Sequence, residues 1–464
     1  MALSALLSKI GQGWRTRAEN PELLASSLRL DPTSHASIQV DLQALGRQDD
    51  DYSQVITSQT SIPASERIVP FLSGLLGFVA RHASMGELTR RANARAPSAS
   101  MQQYKAAYDK WAEVYSRASL CFATTQDIPY FGPSLRYVGN SLVLLAIAAD
   151  EVSRSPQHPC VTDAVSKLSR TTGIAAVDRS AVPGEKTKRA EVLWLANASF
   201  RCYFKLKNIR LCETVLGSVE NALSLNRNFA SPQTKASFKD EELGLACYKR
   251  CDRVAYKYYL GRLRLSQHRI RKAYGELRWA FDNCTNVNMH NKRLILIYLS
   301  VAALILGIYP SQALLVSASL DAPFQNLVER LRLGDGAGML AHLDAWREWF
   351  RGRGCYLLLR EKLQVGAWRN LMRRSFLITR LQDPPPVTAP GAKTPPPTFK
   401  LTSFLAAAKL AWRDDTLTLD DVECVAVSLV DQGYVKGYIL HGSSRVVLRR
   451  TEDFGFVTMS QVYQ

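Results

Sequence analysis

The chain has 464 residues, with 59 Lys plus Arg against 41 Asp plus Glu and a formal charge of +18. Its 47% hydrophobic and 22% charged residues exclude a disordered chain, and 26 Gly with 20 Pro exclude a collagen-like or low-complexity one. At roughly 150 residues per domain it holds about three folding units, and its charge bears on partners (nucleic acid, a membrane surface or an acidic protein) rather than on fold.

Leu3, Leu6, Leu7, Ile10 and Trp14 have the spacing of an amphipathic helix. The short apolar stretch is interrupted by Lys9, which argues against a secretory signal peptide. An acid-free start with Lys9, Arg15 and Arg17 bears only a weak similarity to a mitochondrial presequence. Helical patches run to about residue 185, with a polar loop expected at Asp49–Ser61 and breaks at Arg90–Ser100, Ser153–Pro159 and Val182–Lys188.

From Ala190 the pattern tightens into helices expected at Ala190–Leu206, Ile209–Leu223, Leu243–Ser266, Ile270–Cys284, Lys292–Ile308 and Ser311–Ser319. The apolar run Leu294–Tyr309 is shorter than the about 20 residues a membrane span needs, so it reads as a buried helix. Helices of this length joined by short turns stack into an all-α superhelix of tetratricopeptide-like repeats, without a strict sequence period.

Asp383–Thr398 carries seven prolines and reads as an exposed extended loop, with a proline-motif ligand as the alternative. Beyond it, Phe399–Leu410 and Leu419–Val430 are helical. Thr418 with Asp421 is a capping pair and Gly433 a stop. Tyr438–His441 and Arg445–Arg449 are strand-like around Gly442-Ser443-Ser444. Two helices and a hairpin make a winged helix. The expected organisation is 1–185 N-terminal helical, 186–382 solenoid, 383–398 Pro-rich loop and 399–464 winged helix.

Catalytic signatures are missing from the sequence. The histidines, at 35, 82, 158, 268, 290, 342 and 441, are too far apart for H-E-x-x-H or H-x-H. The nine cysteines are odd in number and scattered, which fits reduced thiols better than a disulfide framework. Cys247 and Cys251, four apart, read as buried thiols rather than zinc ligands. The Gly-rich Gly334–Gly338 lacks a following lysine, and Gly184-Glu185-Lys186-Thr187 breaks the order of a phosphate loop, so both read as turns. No catalytic, cofactor or metal residue is assigned, and no enzyme is expected.

The positive charge is organised. Residues 246–300 hold twelve Lys/Arg against three Asp/Glu, among them Arg262, Arg264, Arg269 and Arg271, interleaved with Tyr256, Tyr258, Tyr259 and Tyr274. Residues 340–380 hold nine against three, including Arg369, Arg373 and Arg374. The hairpin carries Lys436, Arg445, Arg449 and Arg450. The second helix of the winged module is acid-rich (Asp420, Asp421, Glu423, Asp431), which argues against base reading in a major groove. The wing and the basic helix before it suit phosphates without sequence preference; a solvated face and a dock for an acidic partner remain open.

Solenoid and winged helix together resemble the PCI-domain proteins. The branch is the one holding PCI domain-containing protein two, the signalosome-subunit-twelve-like proteins and the Thp-type mRNA-export subunit. The resemblance rests on Tyr203–Asn208 with Leu211-Cys212, Tyr258–Arg262, Ala280–Cys284, Asn291–Leu299 and Gly433–Ile439. It is strong over 190–310 and 400–450. The Pro-rich loop departs from the pattern as an insertion, and Phe454-Gly455-Phe456 stands where an Asn-Pro-Phe-Pro tail is expected.

The resemblance implies a non-enzymatic scaffold subunit of a TREX-2-like nuclear complex that couples transcription to mRNA export. Its implied partners are a second PCI-like scaffold protein of GANP/Sac type, met edge to edge, a small acidic Dss/Sem-type peptide, and RNA or DNA bound without sequence preference. Arg262, Arg264, Arg269 and Arg271 are the candidate residues for the acidic peptide. Lys436, Arg445, Arg449, Arg450, Arg369, Arg373 and Arg374 are those for nucleic acid. The implied location is the nucleus, with nuclear pores and some cytoplasm. A signalosome-associated or splicing-linked complex is the alternative.

Overall fold

The computed structural model describes residues 1–46, 51–93, 100–124, 130–237, 240–382 and 396–463. Most of the Pro-rich segment, 383–395, lies outside the described residues. The chain divides into two compact units, Met1–Tyr259 and Leu260–Gln464.

In the first unit, the helix Ala2–Arg15 buries Leu3, Leu6, Leu7, Ile10 and Trp14, as their spacing requires. The helices Met101–Thr124, Gly132–Ser153, Pro159–Ala176, Val192–Lys205 and Cys212–Asn228 each pack on the next. This is the arrangement of a helical-repeat stack, in which each element covers its neighbour's apolar face.

Two expectations are corrected here. Ser53–Thr60 is a helix, not part of a loop, because Ile56 is fully buried and anchors it. The expected helix Leu243–Ser266 is interrupted and restarts at Arg250. In the interrupted stretch the Asn226 amide donates to Tyr248 Oη at 3.1 Å and to Cys247 Sγ at 3.2 Å, which fastens it to the helix Cys212–Asn228. Cys251, expected to be buried, is exposed, whereas burial pushes the Cys247 thiol up to about 12.

In the second unit, Met289–Ile305 is the apolar run expected as a core helix, and every side chain from Ile295 to Ile305 is buried. Among the described residues no single helix is long and apolar enough to cross a membrane. The Gly-rich run is a packing turn. Gly334 ends Asp321–Leu333 at φ +77, and Asp335 caps Gly336–Ala345 by accepting from Gly338 N at 2.8 Å. A Cβ on Gly336 would lie 2.4 Å from Trp412, whose indole stacks on Trp368 with centroids 4.6 Å apart.

The unit closes with a winged helix containing three strands, not two: β1 (Thr398–Lys400), β2 (Gly437–Leu440) and β3 (Arg445–Leu448), antiparallel in the order β1-β3-β2. Phe399 belongs to a strand rather than to the first turn of a helix. Paired with Val446, it drops into the core, and the helix starts at Leu401. Leu448 N to Pro397 O at 2.8 Å and Leu401 N to Ser444 O at 2.9 Å fasten both ends of β1. Between the sheet and the helices Leu401–Trp412 and Leu419–Asp431 lies one core containing Phe399, Phe404, Ala426, Leu429, Val446 and Leu448. Leu371, Met372 and Phe376 of the long helix Tyr356–Gln382 belong to the same core. The whole is an all-α helical-repeat architecture with a C-terminal winged helix and a small hairpin.

Candidate nucleic-acid interface

Local rules build the wing. Thr418 Oγ1 accepts from Asp421 N at 3.3 Å, and Asp421 accepts from Thr418 N at 2.8 Å, so the capping box is complete in both directions. The Thr418 hydroxyl, donating to Asp421 Oδ2 at 2.6 Å, and then the Thr418 N–H hold the Asp421 carboxyl below its ordinary value. The acids of this first turn therefore serve the helix terminus, where negative charge is favourable. Val422, Ala426 and Leu429 face the core at helical spacing. Gly433, at φ +80, turns the chain so that Tyr434 N and Val435 N both donate to Leu429 O, at 2.9 and 3.1 Å. From there the chain enters β2.

Alternation along the strands sorts the side chains. Val446 and Leu448 point into the core. The opposite face carries Lys400, Arg445 and Leu440 in one row and Thr398, Val447 and Tyr438 in the next. Tyr438 is 57% exposed and Leu440 44%, whereas Tyr434 is buried. Of these two tyrosines only Tyr438 presents its ring to solvent. Lys400 and Arg445 stand directly opposite each other, a like-charge pair that disfavours the bare sheet and welcomes an anion.

The other wing cations lie at the root of the hairpin. Arg449 N donates to Lys436 O at 2.9 Å, which brings these two residues side by side, and Arg450 follows. Lys436, Arg445, Arg449 and Arg450 are all exposed, and among the described residues none is in an ion pair. Glu452 and Asp453, also exposed, trail the last two arginines. At the tip of the wing, His441 Nδ1 lies 2.8 Å from Glu423 Oε1, and that carboxylate raises the imidazole's pKa.

The three arginines on Tyr356–Gln382 separate. Arg369 is spent internally: its Nη2 donates to Val457 O at 2.8 Å and Phe456 O at 3.3 Å, and its Nη1 to Asn370 Oδ1 at 3.1 Å. Desolvation lowers its pKa, with the Arg373 charge adding to the effect. Arg373 is half-buried beside it. Arg374 is exposed, about 100° further round the helix.

The four arginines expected to hold an acidic peptide are not equivalent either. Arg269 and Arg271 are exposed. Arg264 Nη1 donates to Gln267 Oε1 at 3.0 Å, and the Arg262 guanidinium lies 4.5 Å from the centroid of Tyr298. Nearby cations also serve the fold. Arg293 donates to Ala318 O at 2.8 Å and Ser319 O at 3.2 Å, and Lys292 to Asn286 Oδ1 at 2.7 Å. Tyr256 is 5% exposed, so its ring face is not open to a peptide.

Sequence reasoning missed Lys400, Arg332 and Tyr309. Lys400 had no local signal, because Thr398-Phe399-Lys400 becomes a strand only through its pairing with Arg445–Val447. Arg332 and Tyr309 had no signal, because only the tertiary fold brings them near Arg373.

Among known proteins, the chain is similar to a PCI domain-containing protein of Schizosaccharomyces pombe, with 37% identity over 302 residues, 65% of this chain and 62% of that protein. It is 32% identical to Enhanced ethylene response protein 5 of Arabidopsis thaliana over 271 residues, 58% of each chain. With PCI domain-containing protein 2 of Xenopus laevis it shares 27% identity over 270 residues, again 58% of each. Over these spans the chain is similar to the PCI-domain branch that contains PCI domain-containing protein 2. It spans about three fifths of the length of the curated relatives it matches. No family model matches it. Of the elements described above, the winged helix carries the largest set of exposed cations without an ion pair among the described residues.

Proposed function

We propose that the chain is a non-enzymatic scaffold subunit of a TREX-2-like nuclear complex that couples transcription to mRNA export. It pairs through its winged helix with a second PCI-like protein, receives a small acidic peptide on its basic solenoid, and clamps RNA or DNA by the backbone. The observation that carries the nucleic-acid part is the row of exposed cations, Lys400, Arg445, Lys436, Arg449 and Arg450, on one small sheet and its root. Backbone contacts of this type give affinity without sequence information. Support for the pairing comes from β2, an edge strand with Tyr438 and Leu440 exposed. For the acidic peptide, the exposed Arg269 and Arg271 are the retained candidates.

Removing everything after residue 383 is a poor test of pairing, because it would strip the cover from Leu371, Met372 and Phe376. The test is purification of the full chain with identification of what accompanies it, alongside a variant carrying Tyr438→Asp and Leu440→Asp. A second PCI-like scaffold and a small acidic protein are expected with the parent chain, and the scaffold is expected to be lost with the variant. Recovery of signalosome subunits instead would overturn the export reading. Retention of the scaffold by the variant would overturn the pairing mode.

A further inference from the structure

Within the second unit lies a cleft of about 390 Å³, on the scale of small-ligand sites. Its walls come from three places far apart in sequence: the turn after Met289–Ile305, the end of Asp321–Leu333, and the middle of Tyr356–Gln382. Thr458, Met459 and Ser460 close it. Three arginines, Arg332, Arg369 and Arg373, contribute to the lining, and no carboxylate does.

The donors are ordered. Arg369 is fixed by the carbonyls of Phe456 and Val457, and its Nε–H is buried without an acceptor. Arg332 sits 4.8 Å from the centroid of Tyr309. Tyr309 Oη accepts from Asn370 Nδ2 at 2.9 Å, which leaves its own O–H to donate elsewhere, and burial raises its pKa so that it keeps that proton. Burial first, and then the Arg373 charge one helical turn away, lowers the pKa of Arg369, against a smaller opposing pull from Tyr309 and the Asp453 carboxylate. Guanidinium groups converging with hydroxyl donors on one small volume match the oxygens of a phosphate.

The cleft also adjoins the wing. Val435 bridges to Phe456, and Lys436 N donates to Gly455 O at 2.7 Å. The segment holding the wing's root therefore runs on, within about five residues, into Thr458–Ser460 of the cleft wall.

We propose that this cleft is a phosphate subsite, occupied by a phosphodiester of a single strand of RNA that continues from Lys436 and Arg449. This rests on the wing's being a backbone clamp.

Two measurements on the full chain test it separately from that reading. The first probe is inorganic pyrophosphate, followed through the thermal unfolding midpoint. The parent and a variant with Arg445→Glu, Arg449→Glu and Arg450→Glu should both be shifted upward. A variant with Arg332→Glu and Arg373→Glu should not be. The second probe is a labelled single-stranded RNA titrated at several salt concentrations. The cleft pair should lower the magnitude of the log–log salt slope by about 1.4 for two lost contacts. Arg332→Gln with Arg373→Gln, a milder pair, should show the same losses with an unchanged circular dichroism spectrum, which separates lost contacts from misfolding. If pyrophosphate acts equally on parent and cleft variants, the subsite is overturned. If pyrophosphate binding is lost but the RNA slope is unchanged, the cleft takes a free phosphate compound, and the RNA assignment is overturned. RNA binding weakened by the wing variant and untouched by the cleft pair would overturn the cleft's place on the RNA and leave the wing reading standing. RNA binding untouched by the wing variant would overturn the wing reading.

Discussion

Two stretches of this chain look alike on paper: the basic segment around 262–293 and the wing around 436–450. In the first, Lys292 donates to the Asn286 side chain and to Cys284 O, Arg293 donates to main-chain carbonyls, and Arg262 lies over a tyrosine ring. In the second, every lysine and arginine head is exposed. Charge of one sign thus divides into cations that fasten helices together and cations left for an external anion, and the first stretch holds both kinds, since its Arg269 and Arg271 are exposed. Net charge alone overstates the binding surface, and the hydrogen-bond partner of each head decides which class it joins.

The largest expected effect tests the exposed class. Changing Arg445, Arg449 and Arg450 together to Glu should reduce the salt slope for single-stranded RNA by about two, because each phosphate contact contributes about 0.7. All sequences should weaken alike, and the thermal midpoint should stay near that of the parent. An unchanged slope would put the wing in the same class as the solenoid cations.

The internal class is tested by stability. Arg293→Ala removes two charge-assisted bonds to the carbonyls of Ala318 and Ser319 and should cost about 1–3 kcal/mol in chemical denaturation. Arg271→Ala, at an exposed position, should stay within about 0.5 kcal/mol of the parent. Equal costs at the two sites would erase the distinction between them. The same Arg271 variant should weaken an acidic peptide in a salt-sensitive way, since exposed pairs are screened over about 8 Å at physiological ionic strength.

The frame of the winged module is tested by Thr418→Ala. Its hydroxyl satisfies the Asp421 N–H at the start of Leu419–Asp431, and its loss should cost about 1 kcal/mol. The effect on RNA should be small, because no wing cation depends on this cap directly.

Local chemistry made much of this legible in advance. Capping residues, the stop at Gly433 and the alternation of Val446 and Leu448 are short-range signals, and they placed both helices and the hairpin. The strand β1 was not legible. Its three residues have no period of their own, and they become a strand only because β3, about fifty residues on, supplies partners. The division of the cations was hidden for the same reason. Nothing next to Arg293 in sequence says that the carbonyls of Ala318 and Ser319 come within reach, and nothing near Arg373 announces Tyr309 or Arg332. Identity of side chain is local information, whereas spare bonding capacity is a property of the folded chain.

The smallest expected effect concerns the tip of the wing. His441 is exposed and rests on Glu423 at 2.8 Å, and the carboxylate raises its pKa above the ordinary 6.5. The raised value means that protonated His441 is favoured in the fold. The contribution of this contact is fully present below pH 6.5 and disappears as pH rises through the folded value. Over the same window the wing loses one positive charge, so RNA binding should weaken slightly on going from acidic to alkaline conditions. Glu423→Gln removes the partner, so the ring should titrate closer to 6.5 and the window should move down with it. Ring-proton NMR of His441 in both chains reads this directly. Superimposable titrations would mean that the pair is a passing surface contact, and the wing's charge would then be set by its arginines and Lys436 alone.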